Sequence, residues 1–335
     1  MNEDLAASDH RNEASEHTES IDQASATETK PAAKAIGLDI GFGYVKVVSG
    51  SGMKKFPSIF APELFVTNKI KTRKVMEYED KKYVVGDDAD DIADVTRLQT
   101  VEDIIKWAPL FAAYAIKHVP ERQRICIGLP VQYVLRNKEL VEELKGSLRN
   151  FRVNGLTYKF DVIAMAQGIG AYNDYHRKNE AEYVVVDIGY NTLDLVYVRD
   201  GKPDDARMKM NKGINVLIGH VIDYIQNEYG ATISAQKAQY ILETGTYIRK
   251  GQTHKLDKVV EDLATAYTAS VINEALQEKW KNELRDDVSK VVIVGGGANY
   301  VRRDNLSEDI RDMVFIPNNP EFANARGFYR RAQKM

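Results

Sequence analysis

The chain has 335 residues, 44% of them hydrophobic, and 46 Lys and Arg stand against 49 Asp and Glu for a formal net charge of −3. That length supports a large core and about two domains, and the one cysteine, Cys126, excludes an intrachain disulfide framework or a Cys-rich zinc site. No apolar run approaches the ~20 residues that span a bilayer, so no membrane span is expected.

Residues 1–34 carry eight acidic and three basic side chains and no aromatic, a net of −5 that leaves the rest of the chain at +2. They cannot bury enough apolar surface to offset the entropy of ordering, which predicts a disordered acidic tail. The near-neutral body gives no broad electrostatic footprint for nucleic acid. The N-terminus has neither the apolar core of a secretory signal nor an Arg-rich transit character, so a cytoplasmic protein is expected.

Structure begins at Ala35-Ile36-Gly37-Leu38-Asp39-Ile40, a buried strand, and Gly41-Phe42-Gly43 turns it into Tyr44-Val45-Lys46-Val47-Val48. Short strands follow near Phe56 to Phe60 and Lys82 to Val85. Val101 to His118 reads as a helix interrupted or kinked before Pro109. Arg124 to Pro130 is a buried strand, and Gln167 to Tyr175 is helical. Tyr183 to Asp187, a turn at Ile188 to Thr192 and Leu193 to Val198 form a second strand–turn–strand unit. Ile214, Leu217, Ile218, Val221, Ile222 and Ile225 mark one helix face that Gly230 ends, and Val260, Leu263, Tyr267 and Val271 mark another. Lys290 to Val294 is a buried strand that runs into Gly295-Gly296-Gly297. Interleaved strands and helices predict an α/β fold with mixed sheets covered by helices.

Leu38-Asp39-Ile40-Gly41 and Val186-Asp187-Ile188-Gly189 repeat one pattern, with Asp39 and Asp187 148 positions apart. Glycines in such hairpins let the backbone approach phosphate oxygens closely. An aspartate at the strand end can hold Mg²⁺ through water, because that ion keeps most of its hydration. Taken singly, each Asp-x-Gly is a tight turn; the pair, with a third Gly-rich loop downstream, points to nucleotide binding. There is no P-loop sequence and no Gly-x-Gly-x-x-Gly opening a first helix, which weighs against those two phosphate-binding solutions.

Five stretches in this order resemble the actin/Hsp70/sugar-kinase ATPase superfamily, and within it the bacterial and archaeal actin-like proteins of the ParM/StbA plasmid-segregation type. Asp39 to Lys46 resembles the first phosphate loop, Asp187 to Asp194 the second, and Gly295 to Ala298 the adenosine loop. Ala164 to Ala171 resembles the first connecting helix and Pro320 to Gly327 the last, where small residues let two helices cross closely. Phe56-Pro57-Ser58, Tyr83 to Gly86 and Gly128 to Val131 are also similar to that branch.

The resemblance implies an actin-like, ribonuclease H-like two-domain fold with a nucleotide cleft between the domains. Domain I would comprise residues 35–168 plus about 322–335, and domain II residues 169–321. Asp39 and Asp187 would hold hydrated Mg²⁺, and Gln167 and Asp187 would be the catalytic pair, Gln167 positioning the attacking water. Gly41, Phe42, Gly43 and Tyr44, with Gly189, Tyr190, Asn191 and Thr192, would wrap the phosphates of ATP or, alternatively, GTP, with Lys46 supplying positive charge. Gly295, Gly296, Gly297 and Ala298 would pass beneath the nucleoside, and Lys212 and Gly213 would lie beside the ribose.

The activity so implied is ATP hydrolysis coupled to assembly of a homopolymeric cytoskeletal filament, with a DNA-binding adaptor or another filament regulator as partner and no direct nucleic-acid contact. The rivals are a small-molecule kinase of the same superfold, which would need a carboxylate base that nothing singles out, and a non-hydrolysing nucleotide-binding scaffold. An Hsp70-type chaperone is not expected, since no peptide-binding domain would follow residue 335. His118, His176, His220 and His254 form no metal-ligand spacing, Cys126 reads as a buried structural thiol, and Asp204-Asp205 and Asp286-Asp287 read as solvated turns. Lys69 to Lys74, the densest basic run, reads as a solvated loop.

Overall fold

The computed structural model describes residues 34–66, 72–175, 182–210, 212–280 and 288–335. The tail up to residue 33, Lys69 to Lys71 of the basic run, His176 and Asp286-Asp287 lie outside the described residues, as does the side chain of Asp205.

The N-terminal half is built on a six-stranded mixed sheet. β1 (Ala35–Ile40), β2 (Tyr44–Ser49) and β3 (Gly52–Pro57) form an antiparallel meander, and a smaller four-stranded sheet follows from β4 (Ile59–Pro62), β5 (Val75–Tyr78), β6 (Lys81–Val85) and β7 (Thr96–Arg97). β8 (Gln123–Leu129) then returns parallel to β1, and β9 (Asn150–Val153) and β10 (Leu156–Ala166) complete the order β3-β2-β1-β8-β10-β9. Central strands buried on both faces need unbroken apolar runs rather than alternation. β1 and β8 have them: every residue of β1 after Ala35 is buried.

Helix α1 (Val101–Ala115) covers this sheet. Thr100 caps it reciprocally with Asp103, each side chain accepting from the other's backbone N–H. The expected interruption before Pro109 is absent: the helix continues through Pro109 and ends at Ala115, short of His118. Proline removes one helical hydrogen bond, but Ala108, Pro109, Leu110 and Phe111 are all buried, and packing of that face outweighs the local cost. After β8 come α2 (Val131–Arg136) and α3 (Lys138–Arg149), and α3 packs against α1. In the described part of the basic run Thr72 and Lys74 are exposed, while the Arg73 side chain is buried and forks onto Asp91 at 2.6 and 2.8 Å.

The C-terminal half repeats the design after α4 (Ile169–Tyr175). β11 (Tyr183–Ile188), β12 (Thr192–Arg199) and β13 (Lys202–Met210) form a second antiparallel meander. α5 (Asn215–Tyr229) ends at Gly230 in the left-handed conformation, as predicted. α6 (Ala235–Thr244), a hairpin of β14 (Thr246–Arg249) and β15 (Gln252–Lys255), and α7 (Asp257–Tyr267) follow. The apolar stripe through Val271 spans a π-helical turn at Thr268–Ile272 before α8 (Asn273–Trp280). β16 (Lys290–Val294) adds parallel to β11, α9 (Glu308–Arg311) intervenes, and β17 (Val314–Phe315) completes the order β13-β12-β11-β16-β17. Both sheets thus set a hairpin beside a parallel strand, and each carries its own core.

The last helix, α10 (Ala323–Gln333), crosses back onto β1 and β8 and packs against α4. At the crossing, a Cβ on Gly327 would stand 1.8 Å from the Gly170 carbonyl oxygen, so the two backbones touch directly. Asp174 of α4 accepts from Arg326 and pairs with Arg330 of α10, which ties the crossing on its outer side. The expected first connecting helix is shorter than predicted, because Ala164 to Ala166 finish β10 and the helix begins only at Ile169.

Candidate functional site

The two hairpins meet at one cavity. Asp39 is the penultimate residue of β1 and Asp187 the penultimate residue of β11, and each is followed by the same closure: Gly41 N–H donates to the Tyr44 carbonyl at 3.0 Å, and Gly189 N–H to the Thr192 carbonyl at 2.9 Å. Gly41 to Tyr44, Lys46, Gln167, Gly189, Tyr190, Thr192, Gly295 and Gly296 line the same cavity of about 1070 Å³, part of it open to solvent. A concave site with converging polar groups is where a small ligand binds by default.

The carboxylates at its floor are held differently. Asp39 lies opposite Lys46 in the β1–β2 ladder, and the Lys46 ammonium sits 3.1 Å from its Oδ2. Gln167 Nε2 donates to Asp39 Oδ1 at 2.8 Å. Asp187 lies opposite a second aspartate, Asp194, in the β11–β12 ladder. Like charges in directly facing positions oppose sheet formation, and burial disfavours ionisation further. Burial, and then the charge of Asp39, push the Asp187 carboxyl up to about 6, while a hydrogen bond from Asn324 and the charge of Lys46 oppose that rise. Burial raises Asp194 well above the usual carboxylate range, with Asp187 adding to the effect. Asp194 Oδ1 is buried without a hydrogen-bond partner, and Thr192 Oγ1 donates to its Oδ2 at 3.3 Å.

The Gly-rich loop closes in on the same carboxylate. Gly295 has φ of +84°, and a Cβ there would come within 2.4 Å of Asp187 Oδ1. Only glycine lets the loop pass so close. At the outer end, Tyr44 OH donates to Glu243 at 3.2 Å and accepts from Gln239 Nε2 at 2.9 Å, linking the first hairpin to α6. Tyr300 stands nearby; burial and the charge of Glu243 push its phenol up to about 12.

Several expected residues fall elsewhere. Lys212 does not line the cavity, and its ammonium pairs with Glu274 at 3.0 Å. Gly213 lies beneath the second hairpin, where the next two amides, of Ile214 and Asn215, donate to the Gly189 and Tyr190 carbonyls. The N-terminus of α5 therefore holds a protein loop, and its amides are not directed at a sugar. Asn191, Gly297 and Ala298 are also outside the lining; Gly297 packs on the Ile188 side chain and Ala298 is in the core.

Other residues at the site were given no role of their own by the sequence reading. Ser58, fully buried, supports the first hairpin by donating Oγ to the Gly41 carbonyl at 2.6 Å and its N–H to that of Gly43. Asp194 ends the second loop, yet its role depends on a facing partner that only strand pairing reveals. Asn324, Gln239, Glu243 and Tyr300 reach the cavity through packing of α10, α6 and the turn after Gly295. The one local signal was Gln239 and Glu243, four apart on a helix and so on the same face.

Among the described residues, no cluster of three or more His, Cys, Asp or Glu could hold a metal by itself. Two buried carboxylates on one cavity are instead the hard-oxygen donor set of an ion that keeps its water and phosphate ligands, as Mg²⁺ does. The orphaned Asp194 oxygen is a further unmet acceptor on that floor. Among the same residues, no helix is long and apolar enough to cross a membrane.

A family profile described as the N-terminal domain of actin-like proteins matches residues 37–170, and one described as the C-terminal domain of the archaeal actin homologue, MreB-like, matches residues 185–308. The crystal structure of an archaeal actin homologue, Ta0583, is 22% identical, with 90% of this chain and 99% of that one covered and a TM-score of 0.75. The same homologue has been solved in complex with ADP. A 15-stranded ParM filament from Clostridium botulinum is 19% identical over 90% of this chain and 99% of its own, with a TM-score of 0.72. Bacillus thuringiensis ParM with ATP is 16% identical over 90% and 98%, with a TM-score of 0.61. At these identities the likeness establishes the fold. No curated protein matches the sequence.

Proposed function

The chain belongs to the actin-like proteins, and on that premise we propose that it is a cytoplasmic ATPase that binds Mg²⁺–ATP, with GTP as the alternative nucleotide, and polymerises with copies of itself. The observation that carries this reading is the meeting of two hairpins, each bearing an aspartate at the same register position, on one cavity. Solved relatives with bound ADP and ATP, and one in a filament, support it.

Asp39 and Asp187 would hold hydrated Mg²⁺, whose charge supplies neutralisation of the phosphate oxygens. The Gly41 and Gly189 amides already close the hairpins, so phosphate contacts fall to the backbone N–H groups of the cavity-lining Phe42 and Gly43 on one side and Tyr190 on the other. Lys46 adds positive charge beside Asp39. Gln167, whose Nε2 is engaged by Asp39, has its Oε1 as the acceptor that orients a water for attack. The Gly295-Gly296 loop and the group of Gln239, Glu243 and Tyr300 take the nucleoside end.

Domain I, residues 35–168 plus about 322–335, and domain II, residues 169–321, would close on the ligand, because a triphosphate between the hairpins bridges them. Losing that bridge on hydrolysis changes the relation of the halves, and identical subunits stacked head to tail without closure form an open filament. Segregation of plasmid or other DNA through a DNA-binding adaptor is the cellular role that this reading favours.

Sedimentation and electron microscopy with ATP, ADP and no nucleotide, alongside phosphate release, test the proposal. Filaments with ATP alone are expected. Asp187→Ala should weaken nucleotide binding or turnover, and Gln167→Ala should bind ATP, release phosphate slowly and leave longer-lived polymers. Unchanged phosphate release in both variants would contradict the assigned chemistry.

A further inference from the structure

Asn324 sits where the two connecting helices cross, and it is buried. Its amide is used at both ends. Oδ1 accepts from the backbone N–H groups of Gly168 at 2.9 Å and Ala171 at 3.0 Å, which caps the start of α4 from a distant element. Nδ2 donates to Asp187 Oδ2 at 2.5 Å. The neighbouring residue of the same turn, Gln167, donates to Asp39. One two-residue turn, Gln167-Gly168, is thereby connected to both carboxylates of the cleft, directly to Asp39 and through Asn324 to Asp187.

We infer that Asn324 is a positioning residue that couples the cleft to the helix crossing: it orients Asp187 toward the ligand and passes a change at Asp187 to the first turn of α4. The inference rests on the nucleotide reading of the cleft. A side-chain amide is suited to this task because it is donor and acceptor at once in a fixed plane. Alanine would remove both contacts, and aspartate would keep an oxygen for the Gly168 and Ala171 amides but lose the donor facing Asp187. The crossing has no slack to absorb a shift, since Gly170 and Gly327 are in backbone contact and a Cβ on Gly170 would lie 2.8 Å from Asn324 Oδ1. A displacement of Asn324 therefore moves α4 relative to α10.

The test compares the full-length wild type with Asn324→Ala, Asn324→Asp and Arg330→Ala. Arg330 also ties α4 to α10, through Asp174, without touching the cleft. Turnover and KM for ATP with Mg²⁺ and amide hydrogen exchange of α4 with and without Mg²⁺–ATP are measured. Both Asn324 variants are expected to lose at least about ten-fold in kcat, the order set by one hydrogen bond to a charged group, with a smaller change in KM. Arg330→Ala should lose thermal stability yet keep the wild-type kcat. In the wild type, Mg²⁺–ATP should change exchange at the Gly168 and Ala171 amides, a readout that stands even if the Asn324 variants fail to fold. Wild-type turnover in Asn324→Asp, or α4 exchange indifferent to ATP that demonstrably binds, would overturn the coupling alone. A wild type that binds no nucleotide would overturn the parent reading and the coupling with it.

Discussion

Asp39 and Asp187 occupy equivalent places in repeated hairpins, and the residues facing them make them different. Lys46 faces Asp39 at 3.1 Å, whereas Asp194 faces Asp187. Asp194 is raised well above the usual carboxylate range because burial and then Asp187 disfavour its charge. The unfolded chain ionises such a group near its ordinary value of about 3.9, so its contribution to stability is lost as pH rises from there toward the folded value. Asp194→Asn has no proton to lose, and its melting temperature should gain on the wild type as the pH rises above about 4. Parallel melting curves across that range would contradict this account. The two aspartates were legible from sequence because strand, aspartate and glycine recur together. Asp194 was not legible as a charged neighbour, nor was the pairing of Lys212 with Glu274, because cross-strand register and such pairings are decided by chain segments far apart in sequence.

The glycines of the crossing helices and those of exposed helices have opposite consequences at the level of the element. Gly327→Ala would drive a methyl group into the Gly170 backbone, and overpacking of this kind costs about 3 kcal/mol or more where the backbone cannot yield. A Cβ on Gly146 in α3 would meet nothing within 4 Å. Gly146→Ala should instead stabilise by about 0.5–1 kcal/mol through helix propensity. Urea unfolding of the two variants checks both signs, and a neutral Gly327→Ala would show that α4 and α10 are not locked by contact. Helix faces with strong periodicity, such as Ile214 to Ile225, and the buried strands were legible because a short stretch carries the whole signal. The unbroken passage of α1 through Pro109 and the late start of α4 were not, since burial in one case and continuation of β10 in the other overrode local preference.

Two sheets built to the same plan, each with its own core, are joined by helices that cross beside the floor of one cavity. On the proposed function, the relation of the halves would depend on what bridges Asp39 and Asp187. Three aspartates buried together make the acidic floor costly, and a cation with its phosphate ligands would relieve it. Ligand binding should therefore raise the melting temperature with the logarithm of ligand concentration over dissociation constant, and removing Mg²⁺ with a chelator should abolish most of that gain. The central claim is tested most directly by titration calorimetry of Mg²⁺–ATP into the wild type, Asp187→Ala and, as a control outside the cleft, Lys212→Ala. Binding of comparable affinity is expected in the wild type and Lys212→Ala, with a loss of about ten-fold or more in Asp187→Ala, as befits loss of a charge-assisted contact. A wild type that takes up no nucleoside triphosphate, or an Asp187→Ala protein that binds it as tightly as the wild type, would contradict the account.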